Sequence, residues 1–267
     1  MRTPRVFVTE TVLPGTSIEL SSPEARHLIR VLRRSQGDPV LLSPAAGGLF
    51  HGQVGEVREE GGGLCVVVRV GAPADPPGFP ALPWSVGLSL VKGESFDLAL
   101  RMAAETGIER VVPILTERAV VRWSGPSAKE ARWERILREA SKQCGRASPV
   151  FLEAVRRLDD LLAESPRGGP PGAPPPVRRI LVPGGPFRLE GLRPDSASLP
   201  HAIFLIGPEG GFSPAEARRA VEAGYEPLGF PTPVLRTPTA VALVGALGVA
   251  LAGLRAEGEE RRPGQEA

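Results

Sequence analysis

The sequence predicts an α/β protein in which a small β-barrel precedes a larger domain of parallel α/β type. Short β-rich runs separated by Gly and Pro turns occupy the first part of the chain, as in small barrels. Apolar strands then alternate with helices, which is typical of a parallel sheet. A proline-dense stretch separates the two patterns, and a length of 267 residues favours two domains at a prior of about 150 residues each.

The domain boundaries follow the proline and glycine content of the chain. We place the barrel domain at 1–72, a linker at 73–83 and the α/β domain at 84–256. Within the second domain, residues 164–176 (ESPRGGPPGAPPP) predict an exposed loop, because such proline density excludes a helix and disfavours a central strand. The last residues, 257–267, have too little apolar content to pack and predict a disordered tail.

The barrel domain is predicted from four β-rich runs and one helix. The runs are 5–8, 39–42, 50–57 and 64–70. The helix is predicted over 23–34 (PEARHLIRVLRR), with Ser22 as its N-cap and a proline at its first position. Helical spacing places Leu28, Val31 and Leu32 on one apolar face of this helix.

The second domain is predicted from strands and helices that alternate along the chain. The predicted strands are 84–91, 111–115, 179–182 and 202–206, and the predicted helices are 95–106, 129–144, 214–223 and a final apolar helix after residue 237. In open parallel sheets, ligands bind in the crevice outside the carboxyl ends of the strands. The loops that follow these strands are therefore the place to look for a binding site.

One such loop is rich in glycine: residues 206–216 read IGPEGGFSPAE directly after an apolar strand. Its glycines, Gly207, Gly210 and Gly211, would let a flat ligand approach bare backbone. On glycine content alone, a plain tight turn between strand and helix is an equal alternative. The next helix is well delimited, because Ser213 and Glu216 have capping-box spacing.

A second irregular loop, residues 227–239 (PLGFPTPVLRTPT), leads into the last helix. Thr237 is a candidate N-cap for that helix, with Pro238 at its first position. Neither loop contains G-x-G-x-x-G or G-x-x-x-x-G-K-[ST], which disfavours a dinucleotide or a nucleoside triphosphate. Two Gly/Pro-rich loops, each ending in a helix, thus flank one predicted crevice.

Composition excludes several other classes of protein. The net charge is +2, so a nucleic-acid partner must be held by local basic patches. The two cysteines, Cys65 and Cys144, form no ligand cluster, so we expect no metal and a reducing cytoplasm. The longest apolar run, 240–254, is shorter than the ~20 residues that span a bilayer, so no membrane association is expected.

Several motifs, in order along the chain, resemble the RsmE family of SPOUT methyltransferases. In the second domain, IGPEGGFSPAE and VLRTPTA (234–240) match the family patterns IGPEGG-[FL]-S-x-x-E and LGxRILRTETA. Further matches are HL (27–28), VLR (31–33), GD (37–38), KG (92–93), AAETG (103–107), ERAV (117–120), RW (132–133), EA (139–140) and QCGR (143–146). The resemblance covers about residues 5–255.

The resemblance implies a SPOUT-type α/β domain with a C-terminal deep trefoil knot, preceded by a PUA-like barrel. It implies S-adenosyl-L-methionine as cofactor, without a metal, and methylation of N3 of one uridine in small-subunit (16S) ribosomal RNA. The implied partners are that RNA or the assembled 30S subunit, and a second copy of the chain in a homodimer. The face of the last helix that carries Ala242, Gly245, Ala246, Val249 and Gly253 either joins that dimer or packs within its own subunit.

The resemblance also implies site residues. Arg236 and Arg146 are the candidate catalytic cations that stabilise a uracil anion. The candidate cofactor-binding residues are Ile206, Gly207, Glu209, Gly210, Gly211, Val234, Leu235, Arg236, Thr237 and Thr239. Arg26, Arg30, Arg33 and Arg34 are candidate RNA-binding residues mostly on the resemblance. Helical spacing adds a basic stripe of Arg135, Arg138, Lys142 and Arg146, for which composition alone favours a solvated face with a Glu134–Arg138 pair. Glu209 either orients an arginine or the cofactor amine, or satisfies loop amides.

The second loop departs from the family pattern. Aligned without gaps, Pro231, Pro233 and Pro238 replace the Gly of LGxR, its Arg and the Glu of RTETA. An alternative alignment keeps Leu228-Gly229 as the LG and inserts two residues. Two other functions therefore stay open: a SPOUT enzyme that methylates a ribose 2′-hydroxyl, and a non-catalytic RNA-binding protein whose altered loop no longer takes cofactor.

Overall fold

The computed structural model describes residues 3–44, 48–60, 63–75, 82–121, 123, 125, 128–146, 148–164, 174–193 and 199–260. The chain divides into two compact units, one of Met1–Phe79 with Ser141–Pro149 and one of Pro80–Ala140 with Val150–Ala267. The division at 79/80 falls inside the predicted linker. Parts of that linker (76–81) and of the predicted loop (165–173) lie outside the described residues, as does 261–267 of the predicted tail.

The first unit contains a five-stranded sheet. Its strands are β1 (Arg5–Val8), β2 (Ser17–Glu19), β3 (Pro39–Pro44), β4 (Phe50–Glu60) and β5 (Gly63–Pro73). They lie in the order β1-β3-β4-β5-β2, with β1 parallel to β3 and the other pairs antiparallel. All four predicted runs are strands, whereas β2 was not predicted. The core is almost entirely aliphatic, with Leu28, Leu42, Val66 and Val68 fully buried.

The helix of this unit differs from the predicted one. Helix α1 spans only Ser22–Arg26 and continues as a π-helical turn over His27–Val31. Its N-cap is Ser21, whose side chain makes no capping hydrogen bond, so the predicted cap was wrong by one residue. The predicted apolar face is also wrong, because Leu28 is buried while Val31 is 65% and Leu32 38% exposed.

The second unit contains a parallel seven-stranded sheet. Its strands are β6 (Leu82–Ser89), β7 (Ile108–Leu115), β8 (Phe151–Leu152), β9 (Arg156–Arg157), β10 (Val177–Leu181), β11 (Ala202–Ile206) and β12 (Glu226–Leu228). The order is β12-β10-β11-β6-β7-β8, with β9 paired to β7. The helices are α2 (Glu94–Glu105), α3 (Ala128–Cys144), α4 (Leu158–Ala163), α5 (Pro214–Glu222) and α6 (Thr237–Glu260). The prediction of an α/β protein is confirmed.

The strands at the centre of this sheet are covered on both faces, which explains their nearly continuous apolar sequences. Trp84 and Phe204 are fully buried, and their ring centroids lie 4.9 Å apart. The last residues of α3, 141–144, belong to the first unit, a division that the sequence did not predict.

Helix α6 packs part of its small-residue face against its own unit. A Cβ added at Gly245 would lie 1.9 Å from Thr106 Oγ1, and one at Gly248 would lie 2.6 Å from a Leu82 methyl group. These glycines therefore let α6 pack closely within its own unit. Ala246, Val249 and Gly253 lie on the exposed side. The helix continues to Glu260, four residues into the stretch predicted as a tail. Within the described part of the chain, no helix is long and apolar enough to cross a membrane.

Candidate functional site

A cleft lies where three adjacent parallel strands, β12, β10 and β11, end at the same edge of the sheet. The cleft has a cavity volume of about 70 Å³ and is open to solvent. Its lining is mainly apolar, with a few hydroxyl and backbone groups: Leu181, Val182, Pro183, Ile206, Gly207, Leu228, Phe230, Thr232, Pro233, Val234, Leu235, Thr237 and Ala240. Such a cleft is where an open parallel sheet binds a ligand.

One wall of the cleft is fixed by close backbone contact between the loops after β10 and β12. Gly229 N donates a hydrogen bond to Pro186 O at 2.9 Å, and Val182 N donates to Leu228 O at 3.0 Å. A Cβ at Gly229 would lie 2.3 Å from Gly185 O, so only glycine fits there. This requirement favours the alignment in which Leu228-Gly229 is the family's LG and the loop contains two inserted residues.

The opposite wall is the glycine loop after β11. A Cβ at Gly207 would lie 3.2 Å from the backbone of Gly211 and Phe212, so the turn is tight. Gly211 has a φ of 66°, and its N–H donates to Pro208 O at 2.8 Å. Gly207 also lines the cleft, so the glycines form a tight turn and leave a bare wall as well.

Two side chains hold this glycine loop from opposite sides. Thr237 Oγ1 donates a hydrogen bond to Gly207 O at 3.1 Å. Thr237 is the first residue of α6, so it lies one position further into the helix than the N-cap position predicted for it. Its hydroxyl joins the two loops instead of capping the helix as predicted. On the other side, Arg118 Nη1 donates to Gly210 O at 2.8 Å and to Phe212 O at 3.3 Å. Arg118 carried no role in the sequence prediction.

Behind the loop, a charged network fixes the start of α5. The predicted capping box is present: Ser213 Oγ accepts from Glu216 N at 3.1 Å, and Glu216 accepts from Ser213 N at 2.8 Å. Glu216 is 1% exposed, and its other oxygen accepts from Glu117 N at 2.7 Å. Arg219 lies 3.2 Å from the Glu117 carboxylate and 2.8 Å from that of Asp159.

These contacts shift two pKa values. Hydrogen bonds from Ser213 and Arg219 hold the pKa of Glu117 below its ordinary value. The pKa of Arg219 is raised by its hydrogen bonds to Glu117 and then to Asp159. Glu117 and Arg219 are therefore both charged at neutral pH, and Arg118 follows Glu117 directly in the chain.

Comparison with known proteins identifies the family. The family model described as an RNA methyltransferase domain matches residues 80–248. The chain belongs to the RNA methyltransferase domain family. A relative from Synechocystis sp. named ribosomal RNA small subunit methyltransferase E is 29% identical over 246 residues, which cover 88% of this chain and 73% of that protein. The resemblance found in the sequence motifs is thereby confirmed.

Two solved structures are similar along nearly the whole chain. A Legionella pneumophila protein, described as a methyltransferase in complex with the bound cofactor SAM, is 27% identical with a TM-score of 0.76 and covers 96% of this chain and 98% of its own. The ribosomal RNA small subunit methyltransferase E of Neisseria gonorrhoeae, bound to S-adenosyl methionine, has a TM-score of 0.78 at 22% identity and covers 94% of this chain and 98% of its own. The second likeness concerns the fold alone.

The cleft of this RNA methyltransferase domain contains half of the predicted cofactor residues. Those that line it are Ile206, Gly207, Val234, Leu235 and Thr237. Those that do not are Glu209, Gly210, Gly211, Arg236 and Thr239; of these, Gly210 and Gly211 shape the loop, and Arg236 is exposed beside two lining residues. Sequence reasoning missed Val182 and Phe230, although Val182 ends a predicted strand and Phe230 lies in the second irregular loop.

The other predicted residues divide between the two units. Arg135 and Arg138 are exposed on α3 in the methyltransferase unit. Arg146 belongs to the first unit, where its Nε donates to Ser148 O at 3.2 Å.

Lys142 was predicted to bind RNA, but its side chain is paired with a buried carboxylate. Its Nζ lies 2.7 and 2.6 Å from the two carboxylate oxygens of Glu24, and the two side chains are 12% and 4% exposed. A phosphate group would have to replace this buried partner. Lys142 is therefore engaged by Glu24 within the first unit.

Proposed function

We propose that this protein transfers a methyl group from S-adenosyl-L-methionine to N3 of a specific uridine in small-subunit (16S) ribosomal RNA. The observation that carries the proposal is the cleft between the glycine loop and the loop after β12, at the carboxyl edge of a parallel sheet. It is supported by the names of the curated relatives and by the cofactor bound in the similar Legionella structure.

The residues of the cleft fit this cofactor. Apolar side chains such as Leu181, Leu228 and Phe230 offer flat surfaces for an adenine ring. Gly207 presents bare backbone, and the hydroxyl of Thr232 lines the same cleft near the backbone groups of its loop. S-adenosylmethionine supplies an electrophilic methyl group on its sulfonium, so the protein needs neither a metal nor a covalent nucleophile for the transfer.

The protein's own part of the reaction is to position the uracil and to handle its N3 proton. Loss of that proton leaves negative charge on the ring and its carbonyl oxygens, which a nearby cation stabilises. Arg236 is one candidate because it is exposed between the lining residues Leu235 and Thr237. Arg146 is the other candidate, on the resemblance of QCGR to the family motif. An apolar cleft wall excludes water and strengthens either interaction.

The barrel unit, in this proposal, is a PUA-like domain that holds the RNA. Its basic residues Arg26, Arg30 and Arg33 are exposed and Arg34 is partly buried, so their cations suit phosphate groups. Arg135 and Arg138 on α3 extend the basic set in the other unit, whereas Lys142 is engaged by Glu24.

We further propose a deep trefoil knot and a homodimer in the cytoplasm that acts on ribosomal RNA or the 30S subunit. The close backbone contact of Gly185 with Gly229, with α6 starting immediately after that loop, supports a knotted chain. The exposed small face of α6, with Ala246 and Val249, supports a second copy at this edge of the molecule.

Two measurements test the proposal. Calorimetry should detect binding of S-adenosylmethionine and of its demethylated product to the purified protein. Mass spectrometry of ribosomal RNA nucleosides should show loss of 3-methyluridine in a deletion strain. Absence of cofactor binding at millimolar concentration would favour a non-catalytic RNA-binding protein, and loss of a 2′-O-methylated nucleoside instead would favour ribose methylation.

A further inference from the structure

The end of the barrel helix exposes two adjacent apolar side chains. Val31 is 65% and Leu32 38% exposed, although helical spacing would place both on the face of Leu28, which is fully buried. Scattered single apolar residues are normal on a surface. Here two exposed apolar residues follow each other on a helix whose first part faces the core. The backbone conformation explains why they are exposed.

The backbone turns these side chains away from the core. Over His27–Val31 the chain forms a π-helical turn, closed by a hydrogen bond from Leu32 N to His27 O at 3.0 Å. A π turn accommodates one more residue than an α turn, so the residues after it rotate away from the original face. Arg33 follows with a φ of 52° and is the only residue other than glycine with a positive φ among those described. Such irregular turns and left-handed residues concentrate at functional sites.

Three exposed arginines lie on the same short segment as the two exposed apolar side chains. They are Arg26, Arg30 and Arg33. The Arg30 side chain lies 3.1 Å from Glu59, with the two side chains 65% and 74% exposed, so phosphate can compete with this pair. Exposed apolar side chains on one segment with exposed cations suit a partner that offers both anions and flat apolar faces.

Single-stranded RNA has this chemistry. Its phosphates bind arginine, and its unstacked bases offer faces to apolar side chains, whereas the bases of an A-form duplex are stacked and paired. A second copy of the chain fits less well, because a two-fold interface would bring the same arginines against each other.

We propose that Val31 and Leu32 contact an unstacked base of a single-stranded RNA segment while Arg26, Arg30 and Arg33 bind the flanking phosphates. This inference rests on the proposed function for its assumption that the protein acts on RNA. It assigns to this surface a preference for single-stranded over duplex RNA, which the basic residues alone would not provide.

The test compares two kinds of variant on two RNA probes. Full-length protein is titrated, by fluorescence anisotropy, with an unstructured oligouridine and with a duplex RNA of equal charge, between 50 and 200 mM salt. The double variant V31S/L32S should bind oligouridine about five-fold more weakly with an unchanged salt dependence. Arg30→Ala should weaken the binding of both probes. For oligouridine it should also lower the slope of log affinity against log salt by about 0.7. Leu13→Ser, at a site 59% exposed in the same unit, is the matched control.

Three outcomes would overturn the inference: equal loss on both probes in V31S/L32S, no loss on oligouridine, or a change in oligomeric state instead of RNA affinity. Failure of wild-type protein to bind oligouridine would also overturn it. Cofactor calorimetry on the same proteins keeps the two proposals apart. A V31S/L32S variant that binds cofactor and oligouridine like wild type refutes this inference and leaves the proposed function intact.

Discussion

Two helices in this protein begin with nearly the same residues, SPEAR at 22–26 and SPAEAR at 213–218, yet they start differently. At α5, Ser213 and Glu216 form a reciprocal capping box. At α1, the spacing Ser21 to Glu24 is the same, but the Ser21 side chain makes no cap and the Glu24 carboxylate contacts Lys142. Both contacts use an ionised carboxylate, but only Lys142 also supplies a full positive charge, and it does so at a buried site. The glutamate therefore closes a capping box at α5, whereas at α1 it binds the buried cation Lys142.

The ends of the two helices extend this contrast. Helix α5 stays regular up to Glu222 and is followed by Gly224, whose φ of 87° allows the chain to turn away. Helix α1 changes to a π turn after five residues. Local signals at both ends determine α5, whereas α1 depends on a contact with residue 142, which is distant in sequence.

The largest expected effect comes from breaking that distant contact. Glu24→Gln leaves the Lys142 ammonium buried without its counter-charge, which typically costs about 3 kcal/mol of unfolding free energy. Urea denaturation combined with hydrogen exchange of the barrel amides would measure the loss. The matched control is Glu59→Gln, whose exposed pair with Arg30 should be worth less than about 1 kcal/mol. Equal losses in the two variants would contradict the role given to Glu24.

A smaller effect compares the two serines directly. Ser213→Ala removes a capping hydrogen bond at a buried site and should destabilise the protein by about 1.5 kcal/mol. Ser21→Ala removes no such bond, so its cost should be at most about 0.3 kcal/mol. Denaturation midpoints of both variants, at an unchanged denaturant slope, provide the measurement. If Ser21→Ala destabilised the protein as much as Ser213→Ala, the N-termini of α1 and α5 would be capped equally in solution.

The contrast between α5 and α1 also explains which features the sequence could predict. Strand β11 and the start of α5 were predicted to the residue because apolar content, Ser213 and Glu216 act within one short segment. The cleft was placed correctly at the strand ends, but Arg118 was not, since its contact with Gly210 spans 92 residues and leaves no local pattern. The π turn was missed because Val31 and Leu32 have ordinary helical spacing.

The contact of Arg118 should matter mainly for the cofactor. In Arg118→Ala the carbonyl groups of Gly210 and Phe212 lose their donor, and the glycine loop must be ordered on binding. We expect the Kd for S-adenosylmethionine to rise about five-fold, which corresponds to about 1 kcal/mol. Calorimetry with Arg118→Lys, which should restore part of the affinity, and with the exposed Arg101→Ala as control would test this. An unchanged Kd in Arg118→Ala would show that Arg118 does not contribute to cofactor binding.

The smallest expected effect is a pH dependence confined to the start of α5. The pKa of Glu117 is lowered by its hydrogen bonds with Ser213 and Arg219. A carboxyl group with a lowered folded-state pKa stabilises the protein above its unfolded pKa, and this contribution disappears as the pH falls through the folded-state pKa. Hydrogen exchange at the amides of Glu117 and Glu216 should therefore become faster on acidification beyond its intrinsic pH dependence. The Glu117→Gln variant should lose this pH dependence. The control Glu222→Gln, at the exposed end of α5, should keep it. Because Glu117 is itself exposed, solvent screens the interaction, and the change should be local instead of global.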